Sequence, residues 1–250
     1  MKKSAEHVLF FLFLLSLVVS SSAGTVYYVN GANGSDAGPG TQAYPWKTIQ
    51  KAANTMRAGD GTIVSAGTYP ERITASTSGT SGALITFPAS GTVECRGFTV
   101  RADFVRLQGF KITTLPIQAS AFEIGYGTWI TGKYCIVENI FAYNCVRGGI
   151  CLRPESANGI VRNNRCQRNG MVGIEIHGTN HLVENNEIWG SICIPPPELP
   201  SSVNVVYNQV LHAIYLTGTT FTGLDIGYNC VYNSDGTIPT GRCFLTIYGL

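Results

Sequence analysis

Charge is scarce in this chain. Asp, Glu, Lys and Arg together make up 13% of the 250 residues, the formal net charge is +2, and no basic run occurs anywhere. That argues against a nucleic-acid partner, which needs a clustered cationic face. Histidines number four and none of the eight cysteines forms a Cys-x-x-Cys pair, which argues against a zinc site of familiar spacing. Lysine is absent after Lys133, and aspartate is absent between Asp103 and Asp225. Long apolar runs are missing too, apart from Val8 to Val19, which is too short for a confident membrane span. No membrane anchor is expected.

That single apolar run follows Met1-Lys2-Lys3 and precedes Ser20-Ser21-Ser22-Ala23. Basic start, apolar middle and small-residue end are the order of an export signal, so residues 1–23 read as a signal peptide and the protein as secreted. Removing Lys2, Lys3 and Glu6 with it leaves 15 Lys and Arg against 14 Asp and Glu, a net charge near +1. Export makes disulfides possible for the eight cysteines, but spacing does not pair them.

What the chain does have is a repeat. Val161 with Asn164, Val183 with Asn186, Val205 with Asn208 and Ile226 with Asn229 repeat one pattern, and the asparagines fall 22, 22 and 21 residues apart. A second column, Cys166, Ile188, Val210 and Val231, follows two residues after each asparagine. A period slightly above twenty, with short apolar–polar alternation meeting turn residues, predicts an all-β solenoid of stacked coils. Stacked parallel strands place equivalent residues about 4.8 Å apart, so the aliphatic columns become a core and the asparagines a hydrogen-bonded ladder at an inward bend. Cys166 then reads as a small apolar filler. Backwards, Val137 and Leu107 extend the first column at spacings of 24 and 30, and outward positions Glu138, Arg162 and Glu184 alternate in charge. A second strand per coil is expected at Phe122-Glu123-Ile124, Ile150-Cys151-Leu152, Ile174-Glu175-Ile176 and Ile214-Tyr215-Leu216. Residues 191–200 carry four prolines and read as an outward loop or a damaged coil.

Ahead of the coils stands a different segment. Tyr27-Tyr28-Val29 reads as a strand, Asn33-Gly34-Ser35-Asp36 and Gly38-Pro39-Gly40-Thr41 as turns, and Pro45-Trp46-Lys47-Thr48-Ile49-Gln50-Lys51-Ala52-Ala53 as the opening of a helix. Trp46, Ile49, Ala53 and Met56 share one face of it. Such a helix covers the open end of a β-solenoid, where unpaired backbone would otherwise be exposed. Gly59-Asp60, Ala66-Gly67-Thr68-Tyr69 and Glu71-Arg72 follow. In this order the segment resembles the N-terminal cap of secreted right-handed parallel β-helix proteins of the pectin-lyase-like superfamily, especially the family-nine pectate lyases and their uncharacterised relatives. The likeness covers residues 26–74 as a cap and extends more loosely to about residue 235, and coils are expected over about 84–250.

That resemblance implies a single-stranded right-handed parallel β-helix with an N-terminal capping helix, occupying residues 24–250 after the signal. It implies an acidic polysaccharide as partner, β-elimination as the activity and calcium as cofactor; a monomer is expected. Elimination needs a stabilised enolate-like charge and a positioned base. Where related lyases carry an aspartate cluster ahead of a Gly-Ile strand, this chain reads Met171-Val172-Gly173-Ile174-Glu175-Ile176-His177-Gly178. Metal ligands are therefore not identified. The replacement expected on one outer face is Arg153 beside Glu175 and His177, with Arg153 or His177 as base and Glu175 and Tyr215 contacting substrate. Glu123, Cys151, Glu175 and Tyr215 would share an outward column, with Arg153 stacked on His177 in the next. Two classes stay open: a polyuronate lyase, or a noncatalytic carbohydrate-binding or cell-surface β-helix. The final strand at Gly241–Leu250 stops without a polar terminal coil, as a shortened relative of a longer protein would.

Overall fold

The computed structural model describes residues 24–115, 122–170 and 172–189, together with the backbone of strands at 212–217, 225–227, 230–232 and 245–248. The first strand, β1 (Val26–Val29), pairs in parallel with β2 (Gly61–Ala75). Between them lies α1 (Ile49–Thr55). The helix starts later than its apolar face suggested: Trp46 is held as a bridge partner of Val29 instead. Trp46, Ile49, Ala53 and Met56 are nonetheless all buried, so the shared face is real. The Thr48 hydroxyl accepts from the Lys51 amide at 3.1 Å, and the Glu71 carboxylate accepts from Ile49 and Gln50 at 2.8 and 3.1 Å. The first-turn amides, which have no partner inside a helix, are thereby satisfied.

Beyond the cap the chain winds. β2 and β3 (Ile85–Val100) are long strands paired in parallel, each bending round most of a coil. Three short strands then make each coil: β4 (Val105–Gln108), β5 (Lys111–Ile112) and β6 (Thr128–Ile130); β7 (Ile136–Glu138), β8 (Phe141–Tyr143) and β9 (Gly148–Leu152); β10 (Ile160–Arg162), β11 (Arg165–Gln167) and β12 (Val172–Ile176); β13 (Leu182–Glu184), β14 (Glu187–Trp189) and β15 (His212–Thr217); β16 (Asp225–Gly227), β17 (Cys230–Tyr232) and β18 (Leu245–Tyr248). Every strand pairs in parallel with its counterpart one coil away, giving three stacked faces. This is the expected all-β parallel β-helix with an N-terminal capping helix.

The inner columns follow the repeat. Leu107, Val137, Val161 and Val183 stack in register and are buried, as are Ile112, Ala142, Cys166 and Ile188. Cys166 carries no disulfide, and neither do Cys95, Cys135, Cys145 and Cys151, all buried. At the bend, Asn139, Asn163 and Asn185 take positive φ of 54°, 56° and 53°, a backbone state asparagine tolerates better than most residues. After Asn163 and Asn185 the next residue, Asn164 or Asn186, turns inward and is buried; after Asn139 that place is taken by Ile140. Asn164 Nδ2 donates to Asn186 Oδ1 at 2.9 Å and to the Val137 carbonyl at 2.9 Å, while its own Oδ1 accepts from the Ile140 amide. The ladder therefore satisfies corner backbone that no strand pairing reaches. Asn169 makes a second inward bridge, accepting from the Cys145 amide at 3.0 Å, which the repeat did not single out.

Two expectations are corrected. Val183 pairs directly with Ile226, Ile188 with Val231, and Ile174 with Ile214. The repeat at Val205, Asn208 and Val210 lies outside the described residues, as do residues 191–200 and residues 1–23. An equal spacing of 22 and 21 is a one-dimensional measure, and a coil of twice the length satisfies it equally well. Second, Phe122–Gly125 is a turn of 3₁₀ helix, not a strand. The pairing strand is Thr128–Ile130, whose Thr128 and Ile130 are wholly buried. Three alternating residues are too few to fix register, and the shift is settled by which set fills the core. Among the described residues no helix is long and apolar enough to cross a membrane.

Candidate functional site

The third face, β6–β9–β12–β15, carries the site. The chain enters it on glycine: a Cβ on Gly127 would meet the Gly149 carbonyl at 2.6 Å, and one on Gly149 would meet the Gly173 carbonyl at 2.7 Å. Neighbouring coils approach too closely there for any side chain. Strand alternation then sends Trp129, Cys151 and Glu175 outward in one register column, continued by the backbone of Tyr215. Glu123, expected in this column, is replaced by Trp129 because Glu123 belongs to the preceding turn. It pairs with Arg101 at 3.0 Å instead.

Arg153 and His177 follow their strands by one residue and meet Glu175 there. Glu175 Oε1 lies 2.6 Å from His177 Nε2 and 3.8 Å from Arg153 Nη1, while the Tyr126 hydroxyl donates to Glu175 Oε2. The Nε2 contact is short enough to place the ring proton on Nε2, donating to the carboxylate; Arg153 Nη1, 3.4 Å from the same nitrogen, then acts through its charge. Burial pushes the Glu175 carboxyl up, but hydrogen bonds from His177 and Tyr126 and the adjacent charge of Arg153 outweigh it and hold the group below its usual range. Burial raises the Tyr126 phenol, and the neighbouring Glu175 charge raises it further. Glu175 and His177 are 8% and 9% exposed.

The arginine is oriented from both sides. Its guanidinium lies over the Trp129 ring, 4.3 Å from the centroid, an attractive contact with the ring face. Below it, the Arg153 carbonyl accepts from the Ser156 amide and hydroxyl at 2.9 and 2.6 Å. His181, buried, accepts from the Gly159 amide at Nδ1 and donates from Nε2 to the His177 carbonyl at 2.8 Å. Burial is the main cause of its lowered pKa, and the neutral ring pins the two turns that present Arg153 and His177.

Beside these groups opens a groove of about 410 Å³ lined by Arg101, Glu123, Trp129, Thr131, Arg153 and Glu155. The structure thus brings together the expected Arg153, Glu175 and His177 and places Tyr215 in register with them; the Tyr215 side chain lies outside the described residues. Sequence reasoning missed Trp129, Tyr126 and Arg101. For Trp129 a signal existed: it precedes Cys151 by 22 residues, the coil period itself.

A calcium cage fits poorly here. Calcium takes six to eight oxygen ligands, whereas the clustered donors here are one carboxylate, a thiol and an imidazole, and Glu123 is paired with Arg101. No chemistry at this face is assigned to calcium.

Among solved structures, the crystal structure of the pectate lyase Pel9A superposes with a TM-score of 0.60 at 17% identity, over 84% of this chain and 62% of that one. The complex of XylC with xylose superposes with a TM-score of 0.63 at 14% identity, over 84% and 60%. The chain therefore spans about three fifths of the length of these two structures, and the likeness is one of fold. No curated protein matches the chain by sequence. The family model described as the right handed beta helix region matches residues 117–248, more than half of the chain, and covers most of the coils described above. The chain belongs to the right-handed β-helix family.

Proposed function

We propose that this chain is a secreted, polysaccharide-associated β-helix protein that binds an acidic, uronate-containing chain along its third face as a monomer. The observation that carries the reading is Arg153. Its guanidinium is held between the Trp129 ring and the Glu175–His177 pair beside an open groove, which a second arginine, Arg101, also lines. An arginine fork matches a carboxylate in geometry and charge, and an aromatic plane beside it offers apolar surface to a sugar ring. Fold likeness to a pectate lyase and to a protein crystallised with xylose supports a carbohydrate partner. The order of basic start, apolar middle and small-residue end in residues 1–23 supports secretion.

A second reading, β-elimination in the manner of pectate lyases, is favoured by the 2.6 Å pairing of His177 with Glu175 beside Arg153. A carboxylate that orients an imidazole is a familiar way to prepare a base, and Arg153 is the alternative base. Against it stands the burial of His177, which limits contact with a bound ring. Binding is therefore the better supported of the two.

Both are tested on the full secreted chain with pectate, with and without calcium. Retention on immobilised pectate without unsaturated product supports binding alone, and accumulation of the unsaturated product's absorbance supports elimination. Absence of both, across several uronans and up to strongly alkaline pH, overturns the proposal. Arg153→Ala is expected to weaken retention about tenfold or more, the loss of a charge-assisted bidentate contact.

A further inference from the structure

Cys151 stands in the same column as Trp129 and Glu175, and the polysaccharide reading gives it no role. Its sulfur, a Glu175 carboxylate oxygen and a His177 ring nitrogen all lie within 4.8 Å of one another. All three residues are buried. Cys151 and Glu175 are register partners on adjacent strands, and His177 follows β12 by one residue, so the three donors are assembled by strand stacking and not by a loop. Cysteine spacing along the chain argued against zinc because it registers only ligands close in sequence. Here Cys151 stands one coil away from Glu175 and His177.

The donor set also names a class of ion. Thiolate, imidazole and carboxylate together suit zinc and neighbouring transition metals, and three protein ligands leave a fourth position open. Tetrahedral coordination at about 2.0–2.2 Å places nitrogen and oxygen ligands roughly 3.3 Å apart, so the present 2.6 Å contact between His177 and Glu175 must open by less than the width of an atom. The set already attracts a cation. Arg153 lies 3.8 Å from Glu175 and 3.4 Å from His177.

We propose that Cys151, Glu175 and His177 form a binding site for a divalent transition metal of the zinc type, and that Arg153 is the resident cation the metal displaces. On binding, the Cys151 S–H bond gives way to a metal–sulfur bond and its proton leaves to solvent. His177 binds as the neutral ring, its one proton passing through solvent from the nitrogen that faces the metal to the other ring nitrogen. The guanidinium moves off the carboxylate toward the groove. The site does not depend on the polysaccharide reading, and the two can fail separately, because metal binding is read without any sugar present.

The test is titration of the full secreted chain, reduced and freed of metal, with zinc and separately with cobalt(II). The expected result is one metal per chain and a near-ultraviolet thiolate-to-cobalt absorption band. That band should vanish in Cys151→Ser and persist in Cys166→Ala, which removes a sulfur of the inner core. Arg153→Ala should bind zinc at least tenfold more tightly, having lost the competing charge. A wild-type chain that is folded by circular dichroism yet gives no band overturns the site, as does a band that survives Cys151→Ser. Unchanged or weaker zinc binding in Arg153→Ala overturns the role given to the arginine. Should Cys151→Ser fail to fold, His177→Ala provides the same decision through a blue-shifted or absent cobalt spectrum, and an unaltered spectrum counts against the site.

Discussion

Single residues in this protein do their structural work by bridging coils. Asn164 illustrates it: one amide group satisfies a carbonyl on the preceding coil, an amide at the bend and the next asparagine of the ladder. Asn164→Ala is expected to cost about 2–4 kcal/mol, because it strands buried backbone groups in a place water cannot reach; urea unfolding at neutral pH measures it. Glu138 bridges in charge. Nearly buried, it accepts from Arg106 on one coil and from Arg162 on the next, the latter at 2.9 Å. Burial raises its pKa, but the two arginines outweigh burial and bring it below its ordinary value of 4.5. A carboxyl depressed in the folded state lends stability above its unfolded pKa, and that contribution disappears as pH falls from about 4.5 through the lower folded value. Glu138→Gln should therefore lower stability at pH 7 by about 1–2 kcal/mol, a figure kept small because both arginines are a third exposed. The same change should flatten the loss of stability between pH 5 and 3, which unfolding curves across that range would reveal. The inward asparagines were legible in the sequence because they recur at the coil period. The Glu138 pairing was legible as alternating charge, though Arg106, offset by two residues on its strand, was not.

At the level of elements, α1 depends on a residue far from it in sequence. Seven residues are too few for a helix to persist alone in water, and its first amides are held by Glu71, which belongs to β2. Glu71→Ala should leave the coils intact while fraying the helix, at a cost of about 1–2 kcal/mol typical of a lost N-terminal cap. Faster amide exchange at Ile49 and Gln50, with no change at Val161 or Val183, would bear this out; uniform loss of protection would refute it. The helix was readable from the apolar spacing of Trp46, Ile49, Ala53 and Met56. Its true start was not, because the competing bridge from Trp46 to Val29 is a contact between separate elements. The same limit explains the misplaced strand at Phe122–Ile124. A short apolar alternation is compatible with several registers, and only pairing against β3 and β9 selects Thr128–Ile130.

For the molecule as a whole, a net charge near zero means that any attraction for a polyanion comes from a local pair of arginines, not from a general positive field. Retention on pectate should then fall as salt rises from low to physiological strength, as the Debye length shortens to about 8 Å. Arg101→Ala should matter less than Arg153→Ala, since the Arg101 side chain is 56% exposed and already paired with Glu123; elution strength in a salt gradient ranks the two. The sequence by itself determined that this chain is a β-solenoid with a cap, because stacked coils demand the same residue types at the same place in every turn, and such repetition is visible along a line. It also pointed to Arg153, Glu175 and His177, whose positions follow from that period. Only the tertiary structure decided that Val183 sits on Ile226 and that Trp129 replaces Glu123 in the outward column. Those outcomes depend on pairing between strands 22 to 43 residues apart, where the lowest free energy is chosen by packing and hydrogen bonding across coils, and the coil period left a sign of it at Trp129 alone.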